Sequence, residues 1–132
     1  MQNMRNYEEE ELREVVETIN RCIDRHTLIL VEGVTDIRVL REAGVNAEIC
    51  TLYEFYKFVE TLTKNKALRV IAMLDLDREG ESILRRLKEK YSNIVKFDEF
   101  PRKRLRMTSR YKRGLRTIYQ LFSASGMGSE NV

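Results

Sequence analysis

Two short acidic motifs stand out for the chemistry their side chains could share: Glu32-Gly33-Val34-Thr35-Asp36 and Asp75-Leu76-Asp77-Arg78-Glu79-Gly80-Glu81. Each directly follows a continuous apolar run, Leu28-Ile29-Leu30-Val31 in the first case and Val70-Ile71-Ala72-Met73-Leu74 in the second. Alternate side chains of an extended segment lie on one side, so Asp75 and Asp77 can face a common point. Carboxylates gathered without compensation repel one another and take up protons more readily. A hard divalent cation removes that conflict. Magnesium accepts oxygen ligands, keeps several of its waters, and combines one or two carboxylates with a substrate phosphate. Taken singly, each acid has a plainer role. Asp77 suits the N-cap of a following helix, Glu32 a solvated loop, and Asp36 and Glu79 the first turn of a helix, where the dipole favours negative charge. Two such motifs, each with a glycine beside it, favour a shared metal site, because Gly33 and Gly80 let backbone approach a ligand or another segment where a Cβ would clash.

The elements that must position these acids alternate between helix and strand. Leu12, Val15, Val16, Ile19, Cys22 and Ile23 have the spacing of an amphipathic helix over about residues 7–25, with acids leading it. The run at 28–31 is short and wholly apolar, as expected of a strand covered on both faces of a parallel sheet. Thr35 is the expected N-cap of a helix ending at Gly44, and residues 47–50 form a second short strand. Thr51 and Glu54 make a capping box for a helix whose apolar face is Leu52, Phe55, Tyr56, Val59 and Leu62. The strand at 70–74 is followed by a helix over about residues 78–91 and a fourth strand over 93–97. Strands alternating with helices imply parallel pairing and right-handed crossovers. In open sheets of this kind, ligands bind beyond the carboxyl ends of the strands, which is where both acidic motifs fall. The fold expected is a three-layer, Rossmann-like α/β domain spanning residues 1–132, with about four parallel strands and added N- and C-terminal helices.

A glutamate after the first strand and D-x-D after the third is the pattern that marks the Toprim family, and this sequence resembles it over residues 27–97. That family supplies the catalytic domain of topoisomerases, bacterial primases, OLD-type nucleases and small ribosomal RNA maturases. The D-x-D-R-E-G-E string is similar to the type IA topoisomerase form, and E-G-x-x-D to the primase and maturase branches. The resemblance implies Glu32 as general acid or base and Asp75 and Asp77 as ligands of Mg²⁺, or of Mn²⁺ in its place. Asp36 and Glu79 would then be weaker candidates for a second ion. A topoisomerase also needs a clamp and a tyrosine nucleophile in another domain, and a primase further template-binding regions; 132 residues leave no room for either. What remains is a small phosphodiesterase, most simply a nuclease using water, with RNA favoured over DNA by analogy with the maturases. The rival within the family is a non-catalytic nucleic-acid-binding subunit of a larger processing assembly. A receiver domain, with paired acids after its first strand and a phospho-accepting aspartate after its third, matches the pattern less well.

Composition narrows the classes further. Hydrophobic residues make up 42% of the chain and charged residues 34%, a balance suited to one core and a well-solvated surface. No run of about 18 apolar residues indicates a membrane span. The acidic stretch Tyr7-Glu8-Glu9-Glu10-Glu11 is unlike an export signal, so the expected location is cytoplasmic. Cys22 and Cys50 lack metal-site spacing and read as buried free thiols, while a lone histidine, His26, argues against zinc and against a Ser-His-Asp mechanism. Charge is strongly asymmetric. Arg102, Lys103, Arg104, Arg106, Arg110, Lys112, Arg113 and Arg116 form a block without an acid, while the other 16 basic residues face all 21 acids. A C-terminal helix over 102–122 would carry this block, with Arg106, Arg110 and Arg113 on one face and Tyr111, Leu115, Ile118, Tyr119 and Phe122 docking it. Such a face would bind nucleic acid phosphates in a salt-sensitive way. Tyr53, Tyr56 and Phe58 are read as packing residues, and residues 123–132 as a flexible tail.

Overall fold

The computed structural model describes residues 4–62 and 68–123. Four strands, β1 (Thr27–Val31), β2 (Ile49–Thr51), β3 (Arg69–Ala72) and β4 (Lys96–Asp98), form one parallel sheet in the order β2-β1-β3-β4. The seven helices among the described residues are α1 (Met4–Arg21), α2 (Val34–Glu42), α3 (Leu52–Phe58), α4 (Arg78–Tyr91), α5 (Phe100–Leu105), α6 (Ser109–Lys112) and α7 (Ile118–Phe122). A 3₁₀ turn at Val59–Thr61 extends α3. Every side chain of β1 is buried, because helices cover the sheet on both faces. Ile29, Val31 and Ile71 pack beneath α1, α2, α5 and α7, whereas Leu28, Leu30, Val70 and Ala72 pack against α3 and α4. This is the three-layer α/β arrangement that the alternating pattern predicts.

Register brings the two acidic motifs together. Ile29 pairs with Ile71 and Leu30 with Ala72, so β1 and β3 are neighbours whose carboxyl ends lie side by side. Met73 N–H then donates to Leu30 O at 2.8 Å, one rung past the end of β3. At the next rung Asp75 N–H donates at 3.1 Å to the Glu32 carboxylate, which stands where a main-chain carbonyl would otherwise be. The capping box of α3 is present, with Glu54 N–H donating to Thr51 Oγ1 and Thr51 N–H to Glu54 Oε1.

Several boundaries differ from the sequence-based expectation. Helix α1 ends at Arg21, so Cys22 is exposed rather than packed; Cys50 is buried, and burial pushes its thiol up to about 12. The N-cap of α2 is Gly33, not Thr35, and the Asp36 carboxylate reaches back to its N–H. Tyr53 and Tyr56 are exposed rather than packed. The expected C-terminal helix over 102–122 is three short helices. Thr108 and Thr117 accept hydrogen bonds from Tyr111 and Gln120 N–H and so start new helices, and Gly114 turns the chain at φ 110°. Of the expected tail, Ser123 is buried, and residues 124–132 lie outside the described residues.

Helices α6 and α7 are held to α1 by an ion cluster around the buried Glu8 and Arg110. Glu8 accepts from Arg113 at 2.8 Å through both carboxylate oxygens and from Arg110 at 3.4 Å. The Arg113 hydrogen bonds hold the Glu8 carboxyl below its ordinary range against the opposing effect of burial. Arg110 also donates to Leu121 O and Ser123 O. Removing one partner of a buried pair strands the other charge, which costs about 3–5 kcal/mol. Glu8→Ala should therefore destabilise the fold by about that amount in urea denaturation at neutral pH, while the exposed neighbour variant Glu9→Ala should change stability by less than about 0.5 kcal/mol.

Candidate metal centre

Glu32, Asp75 and Asp77 each offer a carboxylate oxygen, and these oxygens lie within 4.8 Å of one another. One oxygen of every carboxylate is fixed by a main-chain N–H: Glu32 Oε2 by Asp75, Asp75 Oδ1 by Ile118 at 2.8 Å, and Asp77 Oδ1 by Gly80 at 2.8 Å. The amides orient the groups, and Asp77 serves as N-cap of α4 while belonging to the cluster. The set contains only hard oxygen donors at half-buried positions, and it fits Mg²⁺ or Mn²⁺ by donor chemistry.

Without a cation the three groups are in conflict. Burial, then the Asp75 charge, push Glu32 from its ordinary 4.5 up to about 7. Asp75 is likewise raised, first by burial, with the Ile118 hydrogen bond and the Arg102 charge opposing.

The loop carrying Asp75 and Asp77 is pinned from below. Arg102, 1% exposed, donates from Nε to Leu74 O at 2.9 Å and from Nη2 to Asp75 O at 2.5 Å. Its Nη1 meets Glu81 at 2.9 Å, and Arg106 binds the same carboxylate. Leu76 N–H donates to Arg116 O at 2.7 Å. On the opposite side Gly80 packs so closely that an added Cβ would lie 1.9 Å from Asp75 O. Glycine is therefore required at 80. At 33 nothing lies within 4 Å of such a Cβ, so no close approach within the chain accounts for that glycine.

The remaining candidates are placed as follows. Asp36 is buried, caps α2 and stays outside the three-acid cluster, and burial raises its pKa. Glu79 is exposed in the first turn of α4 and does not join the cluster either. The basic block is not one surface. Arg102 and Arg110 are buried, Arg106 pairs with Glu81 and Arg113 with Glu8. Arg116 stacks at 3.8 Å on the Tyr111 ring and donates to Tyr111 O. Each of these is engaged by a carboxylate, a carbonyl or a ring, and the Arg113 side chain stays 45% exposed. Lys103 and Lys112 are exposed, and Arg104 is half-buried. The groups that sequence reasoning did not assign to the site are the Ile118 amide and the Arg102 guanidinium as supports of Asp75.

Together, fold and site define a three-layer α/β protein with an acid cluster at the carboxyl ends of two central parallel strands. No family model matches the chain. UPF0292 protein PH1700 of Pyrococcus horikoshii is 34% identical over 98 residues, covering 71% of this chain and 73% of that protein. A UPF0292 protein of Thermococcus sibiricus is 26% identical over 115 residues, covering 86% and 91%. A solved structure of a protein from Aquifex aeolicus is 27% identical with a TM-score of 0.62, covering 81% of this chain and 94% of that one. The chain belongs to the UPF0292 family. No described helix is long and apolar enough to cross a membrane.

Two outcomes follow from the packing and the charge. Gly80→Ala should cost roughly 2–3 kcal/mol in chemical denaturation, because the Asp75 backbone has to shift to admit the methyl group. The folded state also binds more protons than the unfolded state between the ordinary Glu32 value of 4.5 and its folded value of about 7. Stability therefore falls as pH rises through that window, and the penalty is complete above it. In EDTA the melting temperature should drop between about pH 5 and pH 8, Glu32→Gln should flatten most of that slope, and Mg²⁺ should raise the melting temperature most at the alkaline end.

Proposed function

We propose that this protein is a Mg²⁺-dependent nuclease of the Toprim type, cleaving phosphodiesters with water as nucleophile. The observation that carries the reading is the convergence of Glu32, Asp75 and Asp77 within 4.8 Å at the ends of adjacent strands, each oriented by a main-chain amide. Asp75 and Asp77 would hold the cation, with Mn²⁺ able to replace Mg²⁺. A bound cation would supply charge neutralisation at the scissile phosphate and stabilise the negative charge developing there. Glu32 is the general acid or base. Burial and its neighbours put its pKa at about 7, where both protonation states are populated near neutral pH. It can take a proton from the attacking water or return one to the leaving oxygen. Its hydrogen bond from Asp75 N–H fixes the carboxylate against the cluster while it does so.

The substrate class rests on the Toprim resemblance, and RNA is favoured over DNA on the analogy with ribosomal RNA maturases. Protein partners in a processing complex are compatible with a chain of this size, and a cytoplasmic location is part of the same reading.

The test is cleavage of end-labelled structured RNA, single-stranded RNA and duplex DNA, each with Mg²⁺ or with EDTA. Cutting should require the metal, and Glu32→Gln should slow it by roughly 10²–10⁴-fold, the span typical of general acid–base groups. Asp75→Asn should shift the Mg²⁺ dependence to higher concentration as well as lowering the rate. Undiminished cutting by both variants would remove the catalytic assignment.

A further inference from the structure

With Arg102 and Arg110 buried and Arg106, Arg113 and Arg116 engaged, an open positive surface remains where Lys103 and Arg104 of the basic block stand near Lys96 of β4. The outer strand of the sheet on the β3 side is β4. Between it and the start of α5 lies a cavity of about 410 Å³, lined by Arg69, Lys96, Phe97, Phe100 and Lys103 together with two acids. Both acids are already engaged: Asp98 faces Arg69 at 3.6 Å and Glu99 binds Lys88 at 2.5 Å. Lys96 and Lys103 are exposed and make no ion pair among the described residues, so the cavity carries excess positive charge. Phe100 is 50% exposed on its rim, with the Arg104 guanidinium 5.9 Å from the ring centre.

We propose that this cavity on the β4 edge binds an unpaired stretch of nucleic acid, with Lys96, Lys103 and Arg104 meeting phosphates and Phe100 stacking on a base. The choice of ligand rests on the nuclease reading above. Cations beside an exposed aromatic ring are what single-strand binding uses, the charge following the backbone and the ring accepting any base. An acidic peptide would engage the cations but has no use for the ring, and a paired duplex keeps its bases stacked away from it.

Position supports continuity with the acid cluster. Asp98 is in register with Ile71, and Asp75 lies four residues further on, roughly 13 Å at the rise of a strand. Lys103 directly follows Arg102, whose guanidinium touches the Asp75 carbonyl. Cavity and cluster thus lie toward the same end of neighbouring strands β4 and β3, and a strand held in the cavity would lead toward the cluster, which makes single-stranded or locally opened substrates the preferred class.

The experiment is fluorescence anisotropy with a labelled uridine dodecamer, a 12-base-pair RNA duplex and an oligoglutamate peptide. The full chain carries Glu32→Gln and is kept in EDTA so that cleavage plays no part. Lys96→Glu with Lys103→Glu should weaken dodecamer binding at least tenfold, and Phe100→Ala should weaken it about tenfold while leaving duplex binding within twofold. The matched reversal Arg85→Glu with Arg86→Glu, on exposed positions of α4, should change dodecamer binding less than twofold. Equal loss from both reversals, no effect of Phe100→Ala, absence of dodecamer binding, or tighter binding of the peptide would each overturn the proposal. Cleavage by the otherwise unaltered chain in Mg²⁺ is read separately. Cutting that is indifferent to Lys96 and Lys103 overturns this surface and leaves the nuclease reading standing. Binding as expected with no cutting does the reverse.

Discussion

The guanidinium of Arg102, buried beneath the loop at the end of β3, is the contact on which the acid cluster depends. Three half-buried carboxylates repel one another, and a loop that carries two of them would open to water if nothing held it. Arg102 takes the carbonyls of Leu74 and Asp75, and its charge opposes the rise in the Asp75 pKa. Gly80 closes the other side of that carbonyl, and the amides of Ile118 and Gly80 fix the two aspartates. A buried guanidinium is tolerated because Glu81 pairs with it while the Leu74 and Asp75 carbonyls accept from its Nε and Nη2. The acidic motif thus supplies both the cluster and, at Glu81, the counter-charge for its own support.

The sheet and the cluster were legible in the sequence for local reasons. A short apolar run set between helical segments reads as a strand covered on both sides, which placed β1 and β3 and put the acids directly after them at the carboxyl ends of the strands. The capping pair Thr51 and Glu54 and the limits of α4 were equally local. The basic block misled because a charge run records density and not direction. Glu8 and Arg110 stand 102 residues apart in the chain yet share one buried site, and no periodicity links them. Helical spacing over 102–122 was also misleading, since hydroxyl caps at Thr108 and Thr117 interrupt it and propensity does not show that break. Cys22 fell outside the helix for a similar reason, one residue past the end of α1.

The two faces of the sheet divide the work. Helices α3 and α4 pack their apolar stripes on one face, with Phe55 set edge-on against Phe58 and Tyr91. The opposite face is covered by α1 and α2 from the early part of the chain and by α5 and α7 from its later part. Arg102 and Ile118, which brace the acid loop from the later part of the chain, arrive on that second face.

This division sets an order in time. A chain is made from its N-terminus, so Glu32, Asp75 and Asp77 emerge from the ribosome before Arg102 and Ile118 do. Until those later residues are in place, the Asp75 carbonyl has no guanidinium and its carboxylate has no Ile118 amide. The nascent protein therefore carries its acids unsupported at first, and Asp75 gains both contacts only once α5 and α7 have docked.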